Sequence, residues 1–267
     1  MPTLNLIKPF FGLILDAFAY IDYRFAKIDS QIYQIKIQAS LETIKFIYVN
    51  HGELQNDDSA REFWSRSDVL VVSNSPITDY VIPRNYLLRA NQGRDLAALR
   101  DALCLIAEHN NSNSLLFLNS SIYWNFKEVV NSYYEVEPKS KFVFLTDSYQ
   151  GRKYHAQSYF LFMPSTQVAE FIKHTTGIRL FRNCRTKRAV VAFEEKNIYD
   201  TIIKLRCEVE ILYPAKKIAA ILDMNPTRIN PSIDGGEAVL KLGGFGIKKS
   251  LLTSAKQYTF TKEAKKF

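Results

Sequence analysis

The sequence predicts an α/β fold, in which a mostly parallel sheet is flanked by helices and preceded by an N-terminal helical segment. Short apolar runs of strand length alternate with amphipathic helical patterns, the arrangement typical of parallel sheets with helices on both faces. The 267 residues are 47% hydrophobic, which is enough to fill the core of one large domain or two small ones. Glycine and proline number only 10 and 9, so the composition argues against a disordered or low-complexity chain.

Six apolar runs are predicted to form strands, and three stretches between them are predicted to form helices. The strands are residues 44–49, 69–73, 115–118, 142–145, 159–163 and 208–212, and the helices are residues 58–66, 95–108 and 195–206. In the helix 95–108, apolar residues recur at the three- and four-residue spacing of a face that packs on a sheet. A further strand is expected just before residue 91, where the chain turns polar.

The chain is predicted to have three parts: an amphipathic helical segment at residues 1–40, the α/β domain at 41–253 and a basic tail at 254–267. Within the first part, residues 4–25 are rich in aromatic and aliphatic residues and are expected to form a helix after Pro9. The apolar run at residues 9–15 is far too short to span a bilayer. This helix is therefore expected to pack on the domain or on a partner subunit, with a membrane interface as the alternative.

The net charge of +8 favours anionic partners, namely nucleic acid, acidic lipid or a sugar diphosphate. The basic residues are scattered and no nucleic-acid-binding motif is present, so nucleic acid is not an expected partner. The three cysteines lack metal-ligand spacing, and the first residues lack the features of a cleavable signal. Reduced thiols and a cytoplasmic location are expected, with peripheral attachment at the inner face of the membrane as the variant.

Two polar turns are the most informative feature of the chain. Asn91-Gln92-Gly93-Arg94-Asp95 stands immediately before a helix, and Asn119-Ser120-Ser121 follows the apolar strand 115–118. A glycine lets the backbone approach a ligand, and the N–H groups of a helix start attract an anion. Because ligands of open α/β sheets bind at the carboxyl ends of the strands, both turns are expected to line one cleft for a phosphorylated ligand.

These turns resemble the nucleotide-sugar half of a GT-A glycosyltransferase, and the chain as a whole resembles the rhamnan synthesis protein F family, which is associated with bacterial surface polysaccharides. Roughly residues 44–252 share the likeness. Four further segments carry it: VLVVSNSP at 69–76, LTDSYQGRKYHAQSYFLF at 145–162, FEEKNIYDTIIKLRCEVEILYP at 193–214, and NPS…GGFGIKKSLL between 230 and 252.

The resemblance implies a GT-A-like domain and an inverting glycosyltransferase. Such an enzyme moves a sugar from a dTDP-, UDP- or GDP-sugar donor to a cell-surface polysaccharide or a lipid-linked glycan. Rhamnose or another deoxysugar is the sugar that the family comparison suggests, and partner enzymes or a membrane surface are further possible contacts.

Eight residues are assigned to the donor: Asn74, Asn91, Gly93, Arg94, Asp95, Asn119, Ser120 and Ser121. Asn74 can hydrogen-bond a pyrimidine or a ribose, or it can simply form a turn before Pro76. Arg94 offers a planar, permanently charged fork to a diphosphate, whereas Asp95 can equally serve as a helix N-cap.

The turn Asn119-Ser120-Ser121 departs from the GT-A pattern, which places two carboxylates at this point to hold Mg²⁺ or Mn²⁺. Neutral ligands bind such hard cations weakly, so the residues predict no dedicated metal site. Either Arg94 and other cations neutralise the diphosphate, or a Mg²⁺ or Mn²⁺ ion is held mainly by the donor phosphates. The alternative is a catalytically inactive GT-A-like module that binds nucleotide, glycan or a partner glycosyltransferase.

The acceptor and sugar side is assigned, by the resemblance, to Asp147, Ser148, His155 and Gln157. The acidic pair at the start of the helix 195–206 matches the family's catalytic base. Glu195 is the expected base and Glu194 is the fallback, because the match allows a slip of one residue. An acidic pair in a first helical turn is also favoured by the helix dipole alone.

Overall fold

The computed structural model describes residues 4–26, 32–77, 82–91, 94–149, 154–177, 181–182, 184–231 and 246–248, and a nine-stranded sheet forms its centre. The strands of this sheet are β1 (Ile32–Ile37), β2 (Phe46–Asn50), β3 (Val69–Ser73), β4 (Asn85–Arg89), β5 (Leu115–Asn119), β7 (Phe142–Ser148), β8 (His155–Ala156), β9 (Phe160–Met163) and β10 (Val209–Tyr213). Two further strands, β6 (Ile122–Trp124) and β11 (Gly246–Lys248), pair as a separate antiparallel ribbon.

Helices connect and cover these strands. They are α1 (Leu4–Phe25), α2 (Asp58–Ser65), α3 (Arg94–Ala107), α4 (Phe126–Val136), α5 (Ser165–Gly177), α6 (Lys187–Ala189), α7 (Lys196–Lys204) and α8 (Ala215–Ile221). A π-helical stretch, Val190–Glu195, joins α6 to α7.

The strand order is β1-β4-β3-β2-β5-β9-β7-β10, with β8 paired to β7. Six strands run in one direction, and β1, β8 and β9 run against them. This topology confirms the predicted α/β class, a mostly parallel sheet flanked by helices, with a helical segment before it. The predicted strands and helices agree with the observed ones within a few residues at their ends.

The direction in which the chain builds the sheet reverses beside β2. From β2 it adds β3 and β4 on one side, and α3 then carries it back to β5 on the other side. The carboxyl ends of β2 and β5 therefore border the topological switch point, where open α/β sheets bind their ligands. The polar residues that follow these two strands lie at this point.

Both faces of the central strands are buried. Ile47 and Val49 of β2 belong to a core formed with α3, α5 and α7 on one face. On the other face, Phe46 and Tyr48 pack with α2 and α4. Burial on both faces explains why these strands are continuous apolar runs that could be recognised in the sequence.

The first strand, β1, was not predicted, and it lies inside the segment 1–40 that the sequence set apart from the sheet. It pairs with β4 at one edge, and its side chains are exposed or half-buried. An edge strand of this kind lacks the apolar run that marks the central strands. The first helix also differs from its prediction, because it begins at Leu4 and continues through Pro9. The periodic apolar residues therefore outweigh the loss of the one backbone hydrogen bond that proline cannot donate.

The second strand of the small ribbon begins at Gly246, which has no room for a side chain. A Cβ atom there would lie 2.6 Å from Ile122 Cγ2 and 2.7 Å from Trp124 Cε3. The close approach gives a packing reason for a glycine in the GGFGIKKS segment. The rest of the glycine-bearing region, residues 232–245, and the predicted basic tail, 254–267, lie outside the described residues.

Candidate functional site

The two polar turns meet at the switch point. The Nδ2 amide of Asn119 donates to Asp95 Oδ2 at 2.6 Å, and the backbone N–H of His51 donates to Ser120 Oγ at 2.9 Å. The ends of β2 and β5 and the start of α3 are thus joined by side chains. The two turns are therefore in contact, and the expectation that they line one cleft for a phosphorylated ligand stays a prediction.

The imidazole of His51 is the centre of this group. Its Nε2 contacts the Asp95 carboxylate, and its Nδ1 contacts Nδ2 of Asn74. The Asn74 amide is oriented by Arg89, whose guanidinium donates to Asn74 Oδ1 at 3.4 Å. Nδ2 of Asn74 therefore faces Nδ1 of the ring, and Nε2 of the ring faces Asp95.

His51 was missed at the level of the sequence. It follows the apolar strand FIYVN, just as the predicted site residues follow β3 and β5. The same argument about strand ends would have included it.

The turn after β5 is held rigidly. Trp124 Nε1 donates to the carbonyl of Asn119 at 2.8 Å, and the N–H of Ser121 donates to Asn119 Oδ1 at 3.1 Å. Both polar atoms of the Asn119 side chain are therefore engaged, one by Asp95 and the other by Ser121. Ser121 itself is exposed at the surface.

The start of α3 presents Arg94 to solvent. Arg94 has a φ of 52°, in the left-handed region that side chains other than glycine rarely adopt. Asn91 is also exposed, and its Oδ1 accepts from Asn74 Nδ2 at 3.4 Å, whereas Gly93 lies outside the described residues.

A cleft of about 170 Å³ opens beside this group, between the segments that follow β2 and β3. Its lining consists of Asn50, Gly52, Glu53, Leu54, Ser75, Pro76 and Ile77. None of these residues is among the eight assigned to the donor, although Ser75, like Asn74, follows β3 and can hydrogen-bond a pyrimidine or a ribose. The lining is partly apolar and partly polar, which suits a ring with a hydrogen-bonding edge.

The residues assigned to the acceptor side lie at the end of β7 and are buried. Asp147 Oδ1 accepts from the backbone N–H of Ala215, the first residue of α8, at 2.5 Å. Ser148 pairs with His155 across β7 and β8. Burial raises the pKa of the Tyr154 phenol, and the nearby Asp147 carboxylate raises it further.

Gln157 ties this region to the chain beyond α8. Its Oε1 accepts from Thr146 Oγ1 at 2.6 Å, and its Nε2 donates to Asn230 Oδ1 at 3.0 Å. The four assigned residues therefore connect β7, β8, α8 and the segment around residue 230 at the same edge of the sheet.

Glu195 reaches the same edge. Its Oε1 accepts from both the N–H and the hydroxyl of Ser158, at 2.8 and 3.1 Å. The backbone carbonyl of the next residue, Tyr159, accepts from the backbone N–H of Asn119 at 3.2 Å. A single dipeptide therefore separates the Glu195 carboxylate from the turn that follows β5.

Glu194 faces the core. It is fully buried, its Oε1 accepts from the N–H of Arg182 at 2.5 Å, and its Oε2 has no hydrogen-bond partner within the described part of the chain. Burial raises the pKa of Glu194 to about 8, against the opposing effect of the Arg182 N–H. The sequence held a signal for this orientation, because Glu194 lies four residues before the core residue Ile198.

Across the described ranges, no group of three or more His, Cys, Asp or Glu side chains is arranged to hold a metal ion. Asp95 is the carboxylate nearest to the turn after β5, and it contacts His51 and Asn119. None of the helices in the described part of the chain combines the length and the apolar character needed to cross a bilayer.

No protein-family model matches the chain, and no curated protein matches it significantly. Among solved structures, one from Bacillus anthracis, described as a glucose-1-phosphate thymidylyltransferase in complex with a sucrose, is similar with a TM-score of 0.37 and 8% identity. The similarity covers 63% of this chain and 86% of that one. A likeness this low does not bear on the ligand or the reaction of this chain.

Stability should depend on pH through Glu194. Between its unfolded pKa of 4.5 and its folded pKa of about 8, the folded state holds a proton that the unfolded state has released. Stability contributed at this residue is therefore lost as the pH rises through that window. Glu194→Gln cannot ionise, so its free energy of unfolding should increase relative to wild type as the pH is raised.

Urea unfolding between about pH 5 and about pH 8 measures this difference. Glu170→Gln, on the exposed side of α5, is the matched control and should keep the pH dependence of wild type. A constant difference between Glu194→Gln and wild type over this range would show that Glu194 is ionised in the folded protein.

Proposed function

We propose that this protein is an inverting glycosyltransferase that uses a nucleotide-sugar donor. The observation that carries the proposal is that Glu195 bonds Ser158, whose neighbour Tyr159 bonds the backbone of Asn119, at the edge of the sheet that also holds the His51–Asp95 pair and the cleft. A candidate proton acceptor, a helix start and a cavity then lie along one edge of the sheet. The resemblance of the sequence to the rhamnan synthesis protein F family points to the same reaction.

The donor's nucleoside is assigned to the cleft between the segments that follow β2 and β3. A base can pack against Leu54, Pro76 and Ile77, while Asn50 and Ser75 line the same space. Asn74 lies between this cleft and His51, where it can bond the ribose. A dTDP-, UDP- or GDP-sugar is the class of donor that this arrangement suits.

The diphosphate is assigned to the start of α3. This helix has 14 residues, and the unpaired N–H groups of its first turn attract an anion. Arg94, exposed at that position, adds a charged fork that can bind two phosphate oxygens. The protein then neutralises most of the negative charge of the departing diphosphate. Any Mg²⁺ or Mn²⁺ ion is held mainly by the donor phosphates.

Glu195 is proposed as the general base. The acceptor hydroxyl oxygen forms a bond to the anomeric carbon, the bond from that carbon to the diphosphate breaks, and the hydroxyl proton moves to Glu195. Attack opposite to the leaving group inverts the anomeric centre. Ser158 orients the carboxylate through Oε1, to which both observed hydrogen bonds are made. The acceptor is a cell-surface polysaccharide or a lipid-linked glycan, and a deoxysugar such as rhamnose is the proposed cargo.

A second candidate is a catalytically inactive module that binds nucleotide, glycan or a partner glycosyltransferase. It is favoured by the turn Asn119-Ser120-Ser121, which carries no carboxylate, and by Asp95, which contacts His51 and Asn119 through its two oxygens. An inactive module that binds nucleotide shares the donor site with the enzyme, and only turnover separates these two.

A panel of dTDP-, UDP- and GDP-sugars tests the proposed function. Release of the nucleoside diphosphate from one donor, undiminished by EDTA, is the expected result. Thermal stabilisation by a donor without release of its nucleoside diphosphate, in the presence of candidate acceptor glycans, would support the inactive module. If no donor gave either release or stabilisation, both the glycosyltransferase and the nucleotide-binding form of the inactive module would be refuted.

The Glu195→Gln variant should keep the fold and the donor affinity, because the amide has the same shape and retains an oxygen for Ser158. Its transfer rate should fall by roughly 10²–10⁴-fold, the usual contribution of a positioned base. Single-turnover kinetics with saturating donor measure this change. Glu194→Gln is the adjacent control, and its rate should be close to wild type because that side chain faces the core. If the folded Glu195→Gln variant transferred sugar at the wild-type rate, Glu195 would not be the general base.

Arg94→Ala should weaken donor binding by about 1.5–3 kcal/mol, the usual contribution of a hydrogen bond to a charged group. Titration calorimetry with the donor and with the free nucleoside measures the loss, which should appear only for the phosphorylated ligand. Arg84→Ala removes the same charge from an exposed site before the amino end of β4 and is the control. Equal donor affinities of the two variants would contradict the phosphate role of Arg94.

A further inference from the structure

Three tyrosine rings lie side by side at the edge of the sheet that Glu195 reaches. Tyr149 directly follows β7, Tyr154 directly precedes β8, and Tyr199 lies in α7. The ring centroid of Tyr154 is 5.1 Å from that of Tyr149 and 5.0 Å from that of Tyr199, and all three residues are half-buried. We propose that these three residues, the tyrosine platform, bind a sugar ring of the acceptor glycan beside the general base, an inference that rests on the proposed function.

The platform adjoins the proposed base along one helix. Tyr199 stands four residues after Glu195, and the backbone of Glu195 is itself helical. Side chains four residues apart on a helix are neighbours, with about 5–6 Å between their Cβ atoms. Long side chains of a helix also lean toward its amino end, so the Tyr199 ring leans toward Glu195. A sugar ring packed on Tyr199 is therefore a neighbour of the Glu195 carboxylate.

The contacts of the platform fix the positions of its rings. The Tyr154 phenol hydrogen-bonds the Asp147 carboxylate at the end of β7, and its ring meets the Tyr199 ring edge to face, at an interplanar angle of 81°. Lys216 Nζ, from α8, lies 5.7 Å from the ring centroid of Tyr149. A surface that is ordered before binding loses little conformational entropy when a ligand arrives.

The surface position of the rings distinguishes the platform from a core cluster. Phe63, Trp64 and Phe126 also pack ring against ring, but they are buried. The half-buried tyrosines instead leave part of their ring surface to another molecule. The negative face of an aromatic ring attracts the C–H groups of a sugar, and the exposed Lys216 ammonium can donate to its hydroxyls. Binding sites for small molecules combine aromatic surface and a few polar groups in this way.

The strand order favours the acceptor over the donor nucleoside as the occupant. The cleft assigned to the nucleobase lies beyond β2 and β3, on one side of β5, whereas β7 and β8 lie on the other side. With the donor in that cleft and at the start of α3, the platform remains for the molecule that brings a hydroxyl to Glu195. The ligand class that suits the platform is a glycan with an apolar ring face.

Saturation-transfer NMR on the full chain tests the platform without any turnover. The probes are disaccharides of rhamnose, glucose, galactose and N-acetylglucosamine. At least one of them should receive saturation at the C–H protons of one ring face, and Overhauser effects should join those protons to tyrosine ring protons. Tyr149→Leu and Tyr199→Leu should each raise its dissociation constant by roughly 2–12-fold, the contribution of one aromatic contact. Tyr149→Phe and Tyr199→Phe should bind like wild type, because they keep the ring.

Tyr134→Leu is the matched control. Tyr134 is 48% exposed and packs against the ring of Tyr133, and Lys45 Nζ lies 5.3 Å from its centroid, much as Lys216 lies over Tyr149. Because Lys45 directly precedes β2, this tyrosine stands at the opposite edge of the sheet. Its loss should leave the dissociation constant unchanged.

Absence of saturation transfer from the wild type to every disaccharide would overturn the proposal, as would leucine variants that bind like wild type. Where a leucine variant fails to fold, the Overhauser effects of the wild type decide, because they require no substitution. Binding through the tyrosine rings by a protein that releases nucleoside diphosphate from no donor would support the platform and refute the glycosyltransferase. Sugar transfer that is insensitive to loss of the rings would overturn the platform and leave the glycosyltransferase standing.

Discussion

The contacts of one carboxylate, Asp95, organise the crevice. Its two oxygens join the imidazole of His51, at the end of β2, to the amide of Asn119, at the end of β5. These are the strands that border the switch point, and Asp95 itself stands in the first turn of α3. Among the described contacts, the Asp95 carboxylate is the group that connects the imidazole of His51 to the side chain of Asn119. The site is therefore built on an acid whose two oxygens position neighbouring side chains.

Behind this contact, a chain of buried charges fixes the orientation of Asn74. Arg89 Nε donates to Asp101 Oδ2 at 2.7 Å, and Asp101 Oδ1 accepts from Arg100, whose guanidinium donates to the carbonyl of Phe181 at 2.8 Å. Burial lowers the pKa of Arg89, while the adjacent Asp101 carboxylate opposes that effect. Removing one member of a buried ion pair typically costs about 3–5 kcal/mol, because it leaves the other charge unpaired.

The same series of contacts leads from Arg100 to the adjacent acidic residues Glu194 and Glu195. Phe181 adjoins Arg182, whose N–H holds Glu194 in the core, and Glu195 then extends to Ser158 at the sheet edge. The two adjacent carboxylates therefore have different surroundings, one in the core and one at the edge of the sheet.

Much of this arrangement follows from the sequence, and the exceptions have physical reasons. The strands β2, β3 and β5 are apolar runs because helices cover both their faces, and parallel strands that end in polar residues bring those residues to one edge. This is why the contact between Asp95 and Asn119 could be expected. His51 is a single residue with no spacing pattern, so only the rule of strand ends could find it.

Other features depend on tertiary contacts that no local pattern encodes. The strand β1 lies at an edge and shows no apolar run, and the ribbon of β6 and β11 depends on a glycine far away in sequence. The sequence also left Glu194 and Glu195 as alternatives. The four-residue spacing from Glu194 to Ile198 identifies Glu194 as the core-facing residue only when residue 194 is known to be helical. The π-helical stretch Val190–Glu195 supplies that helical structure.

A structure of the protein with a bound nucleoside diphosphate tests the central claim most directly. The account predicts that the nucleobase lies between Asn50 and Ile77, in the cleft beside the His51–Asp95 pair. It predicts the diphosphate at the start of α3, within hydrogen-bonding distance of Arg94. A nucleotide bound at the opposite edge of the sheet, or one that leaves both the cleft and the first turn of α3 uncontacted, would contradict it.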